Sequence, residues 1–381
     1  MISSQGSNAV STPASEGRLR VEVASTRDRW LAVRADWNAL VERSPAPSPM
    51  LSHEWITAFV DDFAPRRRLH CSLVYRGATL VGGAALAWER RWFHGLPYVT
   101  LASLSNEHSQ RFDLLADGPD ALGALWSHLR SVPGWDLLEL KDVPSGGAGE
   151  DLARLAARDG WPVGRWESMR TPFVPLGEAP RIGAKLRQNL RRRRRKLEEV
   201  GSVRLEENGG GDGLDELLEE GFALEASGWK GKAGTAIACE PSTRGFYREL
   251  ARAAARRGWL ALYGLRAGDR LVAFHFGLRH RGRYFLPKPA YDETLGACSP
   301  GQLLVEAVLE RCRESGLAEF DFLGPSMPWK RDWTEAERPH AWQLVFGDTT
   351  AGRALRFAKL ELAPAARSSL SRLTERIPWK R

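Results

Sequence analysis

Hydrophobic positions along the chain keep two rhythms, and their alternation predicts an α/β protein. Over 27–42, Trp30, Val33, Trp37, Leu40 and Val41 recur every three or four residues behind Thr26, a residue suited to cap a helix. A second helix over 52–63 carries Trp55, Ile56 and Phe59, beyond a Pro/Ser-rich loop at 44–49. Strands are expected at 19–24, 69–75, 79–88, 98–103 and 137–141, the second and third joined by the short turn Arg76-Gly77-Ala78. Helices near 121–130 and over 151–158 alternate with them, and 161–174 closes this half in strands.

Around 175–180 the pattern changes. A helix over 183–200 has a narrow apolar stripe, Leu186, Leu190 and Leu197, and is otherwise charged, with arginine at every position from Arg191 to Arg195. A strand at 202–206 and a glycine-rich loop at 208–213 follow; the loop has no dinucleotide-binding spacing. Helices over 214–227 and 242–257 lead into three strands, 259–266, 270–279 and 283–291, with turns at Gly268-Asp269 and Arg281-Gly282. A helix over 301–315 and a strand over 318–323 complete a β-β-β-α-β order. The expected fold is α/β (α+β) with two tandem domains, each a twisted mixed sheet flanked by helices. The divisions are a disordered lead-in at 1–17, a first domain at 18–177, a second at 178–350, and a basic helical tail at 351–381.

Candidate chemistry concentrates at the start of the 301–315 helix. Ser299 stands where a cap belongs, Pro300 at the first helical position and Gln302 three residues after the cap, which reads as a capping box. Gly301 lets a ligand approach backbone N–H groups at the positive end of the helix dipole, a phosphate site; an ordinary capped helix is the plainer alternative. Pro287 and Pro289 flank Lys288 within a strand and cannot donate ladder hydrogen bonds, so that strand is either parted from a neighbour or an edge. Asp321 is unusual inside a strand. Glu225, Asp292 and Asp321 are candidate bases; a helix-surface salt bridge is the competing fate of Glu225, and a satisfied cap or ion pair that of Asp321. His275, between Ala273 and Gly277 on one strand face, either lines a cleft or is buried and hydrogen-bonded.

Taken together and in order, Glu225-x-Ser227-x-Trp229-Lys230-Gly231, Lys288-x-x-Tyr291-Asp292, Ser299-Pro300-Gly301, Asp321-x-x-Gly324 and Trp329-Lys330 with Trp333 resemble the CelD-like group of GNAT acyltransferases, relatives of the FemAB transferases. The resemblance covers about 182–346 well and the N-terminal half weakly. It implies two tandem GNAT-like domains and transfer from acyl-CoA, acetyl-CoA first among them, to an amine on a small molecule or glycan. It also implies a role in polysaccharide or cell-envelope synthesis. Glu225 and Asp321 would serve as base and Tyr291 as acid. Lys288, Ser299, Pro300, Gly301 and Gln302 would hold the cofactor, and Trp229, Lys230, Asp292 and Lys330 the substrate. The usual GNAT Q/R-x-x-G-x-G/A loop is missing.

Composition narrows the alternatives. The chain has 381 residues, 43% hydrophobic and 27% charged, an ordinary globular balance that is long for one core. Cys71, Cys239, Cys298 and Cys312 are scattered and the eight histidines show no metal spacing, so reduced thiols and no metal are expected. No apolar run could span a membrane and no secretory signal is present, so a cytoplasmic location is expected, with peripheral membrane contact left open. Net charge is +8, yet residues 1–180 hold 19 Lys/Arg against 21 Asp/Glu, so the remainder carries +10. That asymmetry points to an anionic ligand or partner. Two readings therefore compete with acyl-CoA transfer. One is FemAB-like transfer from a charged tRNA, although no motif for reading nucleic acid accompanies the arginines. The other is a non-catalytic module that binds anionic surfaces.

Overall fold

The computed structural model describes residues 17–177 and 183–362. The lead-in through residue 16, the proposed boundary at 178 and the tail beyond 362 lie outside them. In chain order the first half comprises β1 (Leu19–Ala24), α1 (Arg27–Ala32), α2 (Arg34–Arg43), α3 (His53–Phe63), β2 (Arg68–Arg76), β3 (Thr79–Phe93), β4 (Leu96–Ser103), β5 (Leu115–Ala116), α4 (Pro119–Ser131), β6 (Leu137–Pro144), α5 (Ala148–Arg158) and β7 (Val163–Pro175). The second comprises α6 (Ala184–Glu198), β8 (Val203–Asn208), α7 (Leu214–Ser227), α8 (Trp229–Lys232), α9 (Pro241–Arg256), β9 (Leu262–Ala267), β10 (Arg270–His280), β11 (Arg283–Tyr291), α10 (Pro300–Glu314), β12 (Glu319–Asp321), α11 (Pro328–Arg331), β13 (Glu337–Phe346) and α12 (Thr350–Arg356). The helix expected over 27–42 breaks at Val33, which leaves the helical region with ψ 10° and still buries Trp30 and Trp37.

All strands join one mixed sheet in the order β1-β2-β3-β4-β6-β13-β7-β12-β11-β10-β9-β8, with β5 on β3. Strand β13 was not expected from the sequence. It inserts antiparallel between β6 and β7, pairing Leu344 with Glu139 on one side and with Gly164 on the other. The stretch expected as strands over 161–174 is the single long β7, which pairs with β13 and then, through Phe173–Pro175, with β12. The two halves of the sequence are thus woven through β7 and β13.

One face of the sheet carries a continuous core from both halves. The α3 ring Trp55 meets Phe246 of α9 edge-on at 5.2 Å, and Phe63 lies 5.0 Å from Phe246. Phe222, Phe274 and Phe285 belong to the same cluster. The opposite face of the C-terminal strands is covered by α6 and α10, whose Leu190, Leu197, Leu304 and Val308 pack with Tyr263, Tyr284 and Phe320.

Strand β12 has only three residues, and its residue types explain why. Asp321 Oδ1 accepts the Leu323 N–H at 2.9 Å, a side-chain-closed turn. Leu323 and Gly324 then adopt φ +50° and +59°, left-handed values that end the ladder and that glycine takes without strain. The other Asp321 oxygen, Oδ2, accepts from Arg111 at 2.6 Å and from Arg338 at 3.0 Å, and the residue has 0% exposure. Replacing Asp321 by Asn leaves two guanidiniums facing each other in a buried site. We expect a loss of about 3–5 kcal/mol of stability, read by urea unfolding. A loss under about 1 kcal/mol would show that the arginines re-pair locally.

Candidate active site

The strands β11 and β12 run parallel for three pairs only, from Arg283↔Glu319 to Phe285↔Asp321. Past that point β12 turns away at Leu323, while β11 continues to Tyr291 along β10. The result is a wedge between parted strands. The prolines suit this geometry. Pro289 stands opposite His275 of β10, and its C=O faces the wedge, where it accepts from Lys230 Nζ at 3.1 Å. A missing N–H on the open side of a strand forfeits no ladder bond. Near Pro287 the β10–β11 register shifts by one between Phe276 and Leu278, so the strand carries a bulge as well as a free edge.

Two ammonium groups flank the wedge. On the β11 side, Lys230 bonds Pro289 O and also Glu225 Oε1 at 2.7 Å. Glu225, buried on α7, accepts the Ile237 N–H at 2.8 Å through its other oxygen. On the β12 side, Lys330 is 5% exposed and donates to Leu323 O at 2.5 Å and Pro325 O at 3.0 Å. Burial pushes its pKa down to about 8, with Asp321 opposing and Lys230 adding to the fall. Lys288 lies on the α7 side of β11, 5.6 Å from the Tyr247 ring centroid. Burial lowers its pKa, Glu225 raises it and Lys230 lowers it further.

The N-terminal half reaches this cluster through the segment between β4 and β5. His108 stacks on Phe63 with ring centroids 5.3 Å apart, and its Nδ1 lies 3.4 Å from the Tyr247 hydroxyl. Burial, then Lys288, lowers its pKa to about 4, so the ring is neutral near pH 7. Gln110, at φ +53°, sits so close to Gly324 that a Cβ there would lie 3.2 Å from its Oε1. Arg111 holds Asp321. Arg338 on β13 completes that ion cluster with Glu319. None of His108, Gln110, Arg111 or Arg338 was singled out from sequence. Three of them fall in the run between β4 and β5, whose hydrophobic pattern has no periodicity.

Several expected roles change. Both oxygens of the buried Asp321 already accept hydrogen bonds, from Arg111, Arg338 and the Leu323 N–H. Glu225 is close to the wedge but already accepts from Lys230 and Ile237. Ser299 is no side-chain cap: it adopts φ +45°, and its hydroxyl donates to Gly296 O at 3.1 Å. Gln302 does not complete a capping box either; its Oε1 accepts from Trp333 Nε1 at 2.6 Å, pinning α10 to the loop after α11. Pro300 does begin α10. A Cβ on Gly301 would approach the Tyr291 ring to 3.3 Å, so ring packing accounts for its small size as well as ligand approach. Asp292 caps the 3-10 turn Glu293–Cys298 by accepting the Thr294 N–H and also pairs with Arg270. Asp292 lines a groove of about 390 Å³ beside α7, with Glu220, Ser227 and Glu293, away from the wedge. Trp229 is 54% exposed, its N–H held by Glu293 at 2.7 Å. Tyr291, 42% exposed, stands at the open end of β11. His275 is buried with Nδ1 unpartnered, and burial pushes its pKa to about 3.

The fold is similar to solved structures of low sequence identity. With FemX the TM-score is 0.56 at 10% identity, covering 81% of this chain and 95% of that one. With the C-terminal domain (DUF2156) of a putative lysylphosphatidylglycerol synthetase from Agrobacterium fabrum it is 0.54 at 13%, covering 87% and 96%. With L-PGS from Bacillus licheniformis it is 0.50 at 12%, covering 85% and 94%. No curated protein matches the chain. Residues 184–331, the segment that builds the wedge, match the acetyltransferase (GNAT) domain family.

Proposed function

We propose that this chain is an N-acyltransferase that moves an acyl group, acetyl in the simplest case, from acyl-CoA to an amine. The observation that carries this reading is the parting of β11 from β12 after Phe285↔Asp321, which leaves a backbone edge open inside the GNAT-matching segment. The open edge from Leu286 to Tyr291 would hold the pantetheine arm, and the start of α10 at Pro300 and Gly301 the diphosphate. The bound donor supplies a thioester carbonyl.

The chain's own groups supply the rest. An ammonium has three donors. Two of those on Lys230 are committed to Glu225 and Pro289, and the third is left to polarise a carbonyl bound at the wedge. Lys288, with its lowered pKa, takes the proton from the attacking amine. Glu225 is a positioning residue that fixes Lys230. Tyr291 at the rim gives a proton to the leaving thiolate. The acceptor is an amine on a small molecule or glycan; the CelD-like motif set supports one in polysaccharide or envelope synthesis. A second reading, an aminoacyl ester carried on tRNA, uses the same reacting centre and draws support from the similarity in fold to FemX. Thermal-shift titration with acetyl-CoA and with charged tRNA separates the donors, because only a ligand of the folded state raises the melting temperature.

Two kinetic outcomes test the roles. Turnover should rise with pH through the depressed Lys288 pKa, because the base works only when neutral. Lys288→Gln should lower turnover about a hundredfold or more and abolish that limb; a limb that survives the substitution would assign the base elsewhere. Glu225→Gln discriminates more finely. Glu225 raises the Lys288 pKa, so removing its charge should shift the limb to lower pH while turnover falls and acyl-CoA affinity holds. If the limb vanishes in Glu225→Gln instead, Glu225 is the base.

A further inference from the structure

Helix α6 has no part in the wedge chemistry, and its composition is costly to keep. Lys185, Arg191, Arg192, Arg195 and Lys196 are all exposed, while Leu190 and Leu197 are buried beneath them. The apolar stripe packs toward α10 and β8, so the cations share the outer side. Arg191 with Arg195, and Arg192 with Lys196, stand four residues apart, a like-charge arrangement that destabilises a helix. The first turn holds Lys185 and no acid, against the preference of the helix dipole.

Several exposed arginines elsewhere have carboxylate partners: Arg27 with Asp61, Arg130 with Asp159, Arg252 with Asp215, Arg256 with Glu249. Among the described residues, none of Lys185, Arg192, Arg195 or Lys196 forms such an ion pair; Arg192 donates only to Asn189 Oδ1 at 3.4 Å. Arg191 and Arg194 lie near enough to Glu306 of α10 to favour its charged form, so they are partly committed. What remains outward is a cation-rich face on a 15-residue helix, about 22 Å long, with the exposed Glu198 and Glu199 at its C-terminal end.

We propose that this face of α6 docks the protein electrostatically on an anionic lipid membrane. A row of outward cations along one helix fits a charged plane, and clusters of four to eight Lys/Arg suffice for such attraction. A nucleic-acid site of the single-stranded kind would add aromatic side chains on which bases stack, and α6 carries no aromatic residue. The helix also packs against the 3-10 turn Glu293–Cys298 that leads into α10, so a membrane held along α6 lies beside the rim of the wedge.

The test is flotation of the full chain with vesicles of phosphatidylcholine alone and of equal parts phosphatidylcholine and phosphatidylglycerol. Its variant is Arg192→Gln/Arg195→Gln/Lys196→Gln. The parent should float with the anionic vesicles only, and less so as salt rises. At about fivefold per charge, the triple variant should lose roughly a hundredfold in partitioning, with a melting temperature no lower than the parent's. Undiminished flotation of the folded variant would place membrane contact elsewhere and overturn the proposal. So would a parent that ignores anionic vesicles; if that parent binds tRNA through these three residues, the face is an RNA surface instead. Because the readout is binding, it is independent of whether the wedge transfers acyl groups.

Discussion

The charge cluster at Asp321 is the constraint on which the wedge depends. A fully buried carboxylate is tolerable only with its charge matched and its lone pairs filled. Here Arg111 comes from the first half of the chain, Arg338 from β13, and the Leu323 N–H from the residue that turns β12 away. The same side chain therefore ties the halves together and ends the β11–β12 ladder. An apolar residue at 321 would allow neither the turn nor the seam, and β12 could then continue beside β11 and close the gap.

Above that anchor, burial rather than pairing sets the proton chemistry. Lys288, Lys330 and His108 all have pKa values pushed down chiefly by desolvation, each modulated by neighbouring charges. Lys330 uses its ammonium to satisfy two carbonyls left over by the turn after β12, a structural task at the wedge wall. Lys288 has an aromatic face rather than a carboxylate against it, which leaves it able to exchange a proton. The exposed Tyr291, packed on Gly301, links the chemistry at the end of β11 to the start of α10.

The sequence made much of the C-terminal half legible. The 214–227 helix and the β9–β10–β11 meander follow periodicity and turn residues, and the paired prolines around Lys288 foretold a strand that does not pair on both sides. Asp321 stands out in the sequence as unusual inside a strand, and its turn chemistry explains it. Three features stayed hidden, each for a physical reason. The insertion of β13 between β6 and β7 is a long-range pairing that no local pattern encodes. The ligands of Asp321 lie 210 residues upstream and 17 downstream in the chain. Ser299 and Gln302 satisfied the spacing of a capping box, but the preceding 3-10 turn and Trp333 claimed their side chains instead.

The most direct test is a crystal structure of the full chain with acetyl-CoA. Density for the pantetheine arm is expected between the Leu286–Tyr291 edge and the Leu323–Gly324 turn, with the thioester beside Lys230. Acetyl-CoA seated in the groove between α7 and Asp292, or failing to bind at saturating concentration, would contradict the wedge as the donor site.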